Sequence, residues 1–179
     1  MTLTPAQWFS RCAGVVLQRE GWGAYTNTLG DPGGPTKFGI TLSTLSAWRG
    51  QLCVAADVQA LEEPEALDIF RANFWHPVAG DQLPAGINLM TFDCAVNQGP
   101  GHAARWLQGA ADVPEDGVIG PATLLAVRSA EPLSLLAAFK SERLLSYEQD
   151  AGWADFGHGW ENRDDQIAAL AAQWASEPE

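Results

Sequence analysis

The sequence predicts a mostly α fold with one interruption, a small β and glycine-rich loop inserted after the first helix. Two observations carry this. Apolar residues recur at helical spacing through most of the chain, and residues 21–35 hold too much Gly and Pro to continue a helix.

The elements follow in order. Thr4, Pro5 and Gln7 form a capping box with proline at the first helical position, and Trp8, Phe9, Cys12, Val15 and Val16 give the ensuing helix an apolar face. Glu20-Gly21 should end it, because glycine adopts the left-handed cap conformation. The loop from Gly21 to Pro35, with Asp31-Pro32-Gly33-Gly34-Pro35, suits the tight turns of a small β element, and Phe38-Gly39-Ile40-Thr41 reads as a short extended segment. Helices are then predicted from Leu42 to Trp48 with a stop at Gly50, from Pro64 through Phe74, from Ile87 to Val96, and from Ala103 to Leu107. Asp116-Gly117-Val118-Ile119-Gly120-Pro121 is a turn entering Thr123-Leu124-Leu125. A long helix starts at Pro132 and runs through Tyr147, and a turn around Gly152 to Gly159 precedes a last helix from Glu161 to Trp174.

Bulk properties narrow the functional classes. A chain of 179 residues, 46% hydrophobic with eight Trp, suits one domain or one domain with a docked lobe. The longest apolar stretches, such as Leu135 to Phe139, are too short to span a bilayer. A net charge of −12 argues against binding nucleic acid or an anionic membrane surface, whereas a glycan, read by hydrogen bonds and stacking, is compatible with it. Cys12, Cys53 and Cys94 are odd in number and embedded in apolar surroundings, so three buried thiols are expected. His76, His102 and His158 are scattered, and no spacing asks for zinc; neither a metal nor an organic cofactor is expected.

Glu20 is the first candidate for chemistry. A carboxylate in the last turn of a helix faces the negative end of the macrodipole, which favours the protonated acid. Trp22 or Tyr25 could add desolvation in the same direction. A protonated carboxyl near neutral pH is what a glycosidase uses to protonate a leaving oxygen, although an ordinary exposed Glu at a frayed helix end has the same sequence. Asp31, in its Gly-rich turn with Thr36 and Thr41 close behind, supplies a second and more solvated carboxylate, as glycoside hydrolysis requires. Plain turn chemistry also explains it.

Taken in order, Glu20-Gly21, Tyr25, Asn27, Asp31-Pro32-Gly33-Gly34, Thr36 and Phe38-Gly39-Ile40-Thr41 strongly resemble the N-terminal signature of the glycoside hydrolase 108 family. The resemblance continues through Phe70 to Trp75, Leu83-Pro84-Ala85-Gly86, Phe92 to Pro100, Ala103 to Gln108, Asp116 to Pro121 and Phe156 to Trp160, which is nearly the whole chain. It implies a lysozyme-like helical fold and an N-acetylmuramidase, of the kind found in phage endolysins and bacterial lytic proteins, that hydrolyses the MurNAc–GlcNAc β-1,4 bond. The essential acid of the family falls on Glu20. The later half resembles the peptidoglycan-domain region that usually accompanies the catalytic one, so residues 1–95 are expected to form a catalytic lobe and 96–179 a helical lobe packed with it as one body. Two departures stand out. Glu20-Gly21-Trp22-Gly23-Ala24-Tyr25 carries two residues more than the usual Glu-Gly-Gly-Tyr, and Thr28 replaces an Asp common after the Asn.

Asp31 with Thr36 is therefore expected to position water, and Tyr25, Asn27, Asp93 and Asn97 to bind substrate. Asp93 and Asn97, four apart on an apolar helix, could equally be a buried polar pair. Asp116 to Thr123 reads more readily as a turn and helix start than as a binding loop. Trp75, Trp106, Trp153 and Trp160 could stack on sugars but are individually better read as core, and Lys37 and Arg105 as solvated surface. The partner expected is the peptidoglycan glycan strand, met by a monomer. No secretory signal is visible at the N-terminus, so the chain is expected to be made in the cytoplasm and to reach the wall by release or another export system. The rival readings are a lytic transglycosylase, a non-catalytic peptidoglycan-binding or secretion-associated protein on the same fold and, more distantly, a zinc amidase.

Overall fold

The computed structural model describes residues 3–19, 23–28, 34–148 and 153–177. Among these the fold is mostly α, with a single small antiparallel sheet. The chain divides into two compact units, Ser10–Asn73 and Met1–Phe9 with Phe74–Glu179.

Helix α1 spans Pro5–Arg19. Its capping box forms as the sequence predicts: the Thr4 amide donates to Gln7 Oε1 at 2.8 Å, and the Gln7 amide donates to Thr4 Oγ1 at 3.3 Å. In the Ser10–Asn73 unit the sheet runs β1 (Tyr25–Thr26), β2 (Thr36–Lys37), β3 (Ile40–Thr41), in that order. Phe38 and Gly39, expected to be extended, instead form the two-residue β2–β3 turn, with φ of 54° and 74°. Both central residues of such a turn need positive φ. The non-glycine Phe38 tolerates it because its ring is buried and lies 5.4 Å beneath the Lys37 ammonium.

Thr41 then caps α2 (Leu42–Arg49), accepting from the Thr44 amide, and Gly50 closes it in the left-handed conformation. A short α3 (Ala55–Gln59), for which no separate element is predicted, is capped by Asp57 Oδ2 accepting from the Val54 amide. Helix α4 (Glu63–Phe70) widens into a π-helical turn at Arg71–Trp75. Arg49 reaches across this unit to fork onto Glu65 of α4, at 2.8 and 2.7 Å.

The other unit is built around α5 (Ile87–Gln98). Every residue of α5 from Ile87 to Ala95 is buried, the polar Asn88, Thr91 and Asp93 among them. Helices α6 (Pro100–Ala110), α8 (Pro132–Glu148) and α9 (Trp153–Ala175) pack against it. Gly86 precedes α5 where a Cβ would collide with the Ala171 carbonyl of α9, so these helices meet at backbone distance. The loop 111–120 and α7 (Pro121–Ser129) connect α6 to α8. Buried Gln108 staples this loop: its Nε2 lies 2.7 Å from Asp116 Oδ1, 3.0 Å from the Val118 carbonyl and 3.1 Å from Thr123 Oγ1, while its Oε1 accepts from the Gly117 amide at 2.9 Å.

The turn expected at Gly152 to Gly159 is replaced by helix from Trp153 onward. An interior glycine costs only about 1 kcal/mol relative to alanine. Once residues further along α9 are packed on α5 and α8, adding turns at its N-terminal end gains a hydrogen bond per residue. The three cysteines are buried thiols, and burial pushes Cys94 up to about 12.

Candidate active site

Glu20 and Asp31 lie outside the described residues. The described residues on either side are α1, described as far as Arg19, and Gly34, which precedes β2. Strand pairing places Thr26, Thr36 and Thr41 directly opposite one another, a row of three threonines on one sheet face. Tyr25, Lys37 and Ile40 form the row on the other face. Thr36 Oγ1 donates to the Gly34 carbonyl at 3.1 Å, which commits its proton and aims the hydroxyl's acceptor lone pairs elsewhere. Asn27 follows β1 and is exposed. Thr36, Tyr25 and Asn27 therefore share the Ser10–Asn73 unit, with Thr36 and Tyr25 on opposite faces of its sheet.

Asp93 and Asn97 belong to α5 in the other unit. Asp93 has no exposed side-chain surface. Its Oδ1 accepts from Arg163 Nε and Nη2 at 3.0 and 2.8 Å, and its Oδ2 lies 2.9 Å from Arg143 Nη1, at ion-pair distance without hydrogen-bond alignment. Arg143 also donates to Asp164 Oδ1 and to Gln98 Oε1, each at 3.0 Å. Exposed Asn97 donates from Nδ2 to the Asp93 carbonyl at 2.7 Å. Two carboxylates and two guanidiniums thus balance inside the unit. Burial pushes Asp164 above its ordinary value even against Arg143. The same burial, with Arg143 opposing it, pushes the Tyr147 hydroxyl up to about 12.

Sequence reasoning did not single out Arg143, Arg163 or Thr26. Arg143 had one legible signal, since it stands at helical spacing between Phe139 and Tyr147 on a buried face of α8. Of the aromatic candidates, Trp75 is fully buried with its Nε1 donating to Asp81 at 2.8 Å, and Trp106 sits against the His102 ring at 5.5 Å. Trp160 is half-buried beside Tyr147; the side chain of Trp153 lies outside the described residues. Lys37 donates to the Gln59 carbonyl at 2.8 Å, and the Arg105 guanidinium lies beside Gly117. Among the described residues no group of three or more His, Cys, Asp or Glu could hold a metal, and no helix is long and apolar enough to cross a membrane.

The family model for glycosyl hydrolase 108 matches residues 13–99, a span that contains Glu20, the sheet, Asp93 and Asn97. Among solved structures, SagA of Brucella abortus is 38% identical over 94% of this chain and 96% of its own, with a TM-score of 0.85. No curated protein matches. A mostly α, lysozyme-like fold with this match defines a glycoside hydrolase of peptidoglycan-hydrolase-like function, acting on a glycan. The chain belongs to the glycosyl hydrolase 108 family.

Proposed function

We propose that the chain is an N-acetylmuramidase that hydrolyses the MurNAc–GlcNAc β-1,4 bond of peptidoglycan, with Glu20 as general acid. The observation that carries this reading is the match of the glycosyl hydrolase 108 model over residues 13–99, a span that contains Glu20. From the sequence, α1 is expected to stop at Glu20-Gly21, which would set the carboxyl against the negative end of the helix. That field disfavours a carboxylate and favours the acid that must protonate the glycosidic oxygen.

Asp31, as base, and Thr36 position the attacking water. Thr36 supports this role because its proton is committed to Gly34, which leaves lone pairs to accept from water. A water held through its hydrogen keeps its own lone pairs for attack on the anomeric carbon. Tyr25, Asn27 and Asn97 contact the substrate, and Asp93 enters through the arginine it orients. In this reading residues 1–95 carry catalysis and 96–179 form the accompanying peptidoglycan lobe. The monomeric chain works at the cell wall without a metal or organic cofactor.

The test is release of soluble muropeptides from purified sacculi, analysed by mass spectrometry. Wild type should yield reducing-end MurNAc, and Glu20→Gln should be slower by about 10²–10⁴-fold. Equal release by both chains would remove Glu20 from the mechanism. An anhydro product would identify a transglycosylase, and no release by wild type would favour a binding protein.

A further inference from the structure

The three-stranded sheet has two unlike faces. On one, Ile40 is buried and the Lys37 ammonium donates to the Gln59 carbonyl of α3 at 2.8 Å, so this face is turned into its own unit. The other carries Thr26, Thr36 and Thr41 side by side, one from each strand. Cross-strand partners on one face stand about 5 Å apart at their β-carbons, and strands repeat at about 4.8 Å. That spacing is close to the length of one pyranose ring in an extended β-1,4 chain. A glycan laid across the strands therefore meets one threonine per ring.

The three hydroxyls differ in what they have left to offer. Thr41 Oγ1 accepts from the Thr44 amide at 3.3 Å and shares hydrogen bonds with Ser43 Oγ and Thr44 Oγ1, so it is committed to the start of α2. Thr36 Oγ1 gives its proton to the Gly34 carbonyl and keeps acceptor lone pairs. Thr26 is exposed, and among the described residues its hydroxyl has no hydrogen-bond partner. Its strand, β1, is paired on one side only, so no described strand lies beyond it. A hydroxyl free both to donate and to accept matches sugar hydroxyl and acetamido groups, which between them offer both functions. When Thr36 holds water for attack on an anomeric carbon, the glycan lies against this face. Thr26 is the cross-strand neighbour of Thr36 there, and alone of the three it keeps an uncommitted proton.

We infer that Thr26 is a substrate-contacting residue, whose hydroxyl hydrogen-bonds the sugar ring beside the one attacked and so fixes the register of the glycan on the sheet. The inference rests on the reading above for the glycan and for the water at Thr36. It assigns Thr26 to holding the chain in place, separate from the proton transfers given to Glu20 and Asp31.

The probe is a soluble β-1,4 glycan of alternating GlcNAc and MurNAc, stripped of peptide. Its dissociation constant is measured by calorimetry on full-length Glu20→Gln chains with Thr26 intact, with Thr26→Val and with Thr26→Ser. KM and kcat are measured for the same Thr26 variants with Glu20 intact. Thr26→Val keeps the shape and removes the hydroxyl. Binding should weaken and KM rise by about three- to tenfold, with kcat changed by less than about twofold. Thr26→Ser returns the hydroxyl and should recover both values. A merely structural role gives the opposite order, because valine and threonine are β-branched strand formers and serine is not. Unchanged affinity and KM in Thr26→Val, no recovery in Thr26→Ser, or no binding with Thr26 intact would overturn the inference. Binding that depends on Thr26 without any cleavage leaves this contact standing and removes the muramidase. Cleavage with a KM indifferent to Thr26→Val does the reverse.

Discussion

Arg143 Nη1 and Asp93 Oδ2 lie 2.9 Å apart, and neither side chain keeps any exposed surface. Burial works against the charge on Arg143, but the neighbouring carboxylates, Asp93 first, outweigh it and raise the guanidinium's pKa. The pair is stable only as part of the larger cluster, because each ion removed from water must be compensated by its neighbours.

Removing one member should therefore cost more than the pair contributes. Asp93→Asn leaves Arg143 and Arg163 facing each other's charge, and should destabilise the chain by about 3–5 kcal/mol. The expected loss in thermal midpoint is on the order of 10 °C for a chain of this size. Replacing Asp93, Arg143 and Asp164 together by apolar residues should recover much of it, since no buried carboxylate is then left without its cation. Calorimetry of both variants decides; a single variant as stable as wild type would refute the cluster's role.

The Arg49–Glu65 fork gives stability a specific pH dependence. The Arg49 hydrogen bond holds Glu65 below its ordinary value of 4.5. A depressed carboxylate contributes stability above its unfolded pKa and loses it as pH falls through the folded one. Glu65→Gln should cost about 1 kcal/mol at pH 7, since the pair is partly solvated, and the difference should vanish well below pH 4.5. Melting both chains across that range checks the sign.

Two glycines should respond oppositely to alanine. A Cβ on Gly80 would lie 2.5 Å from Cε2 and 2.7 Å from Cε3 of the buried Trp75 indole. Gly80→Ala should therefore cost about 3 kcal/mol and disturb the Trp75 indole resonance. Gly14, inside α1, has nothing within 4 Å of its Cβ position. Gly14→Ala should stabilise by about 0.5–1 kcal/mol. Denaturant titration of the two variants tests the contrast.

Gln108 should control the loop that follows α6. Its hydrogen bond, with that of the Val118 amide, holds Asp116 below its ordinary 3.8. Gln108→Leu should raise the Asp116 pKa toward that value and cost about 2–3 kcal/mol, because Thr123 loses a buried partner. Carbon-detected titration of Asp116 and a melting curve measure the two effects.

Much of the fold was legible along the chain. The Thr4–Gln7 capping box, the left-handed cap at Gly50 and the largely apolar α5 are each visible within a few residues, because the signals responsible span one to three turns. The Gly152 to Gly159 segment misled, since glycine's local preference is weak beside the packing that extends α9. At the candidate site, Thr36 was legible but the threonine row was not, because register across strands depends on pairing rather than on order.

By itself, then, the sequence determined most of the helices and the break after the first of them. Tertiary structure alone decided that Asp93 would be a buried counter-ion rather than a surface hydrogen-bonding group, by bringing Arg163 from 70 positions away and Arg143 from another helix onto one carboxylate. The reason is physical. Backbone preferences are read from neighbours along the chain, whereas the fate of a charge depends on which distant groups share its loss of water.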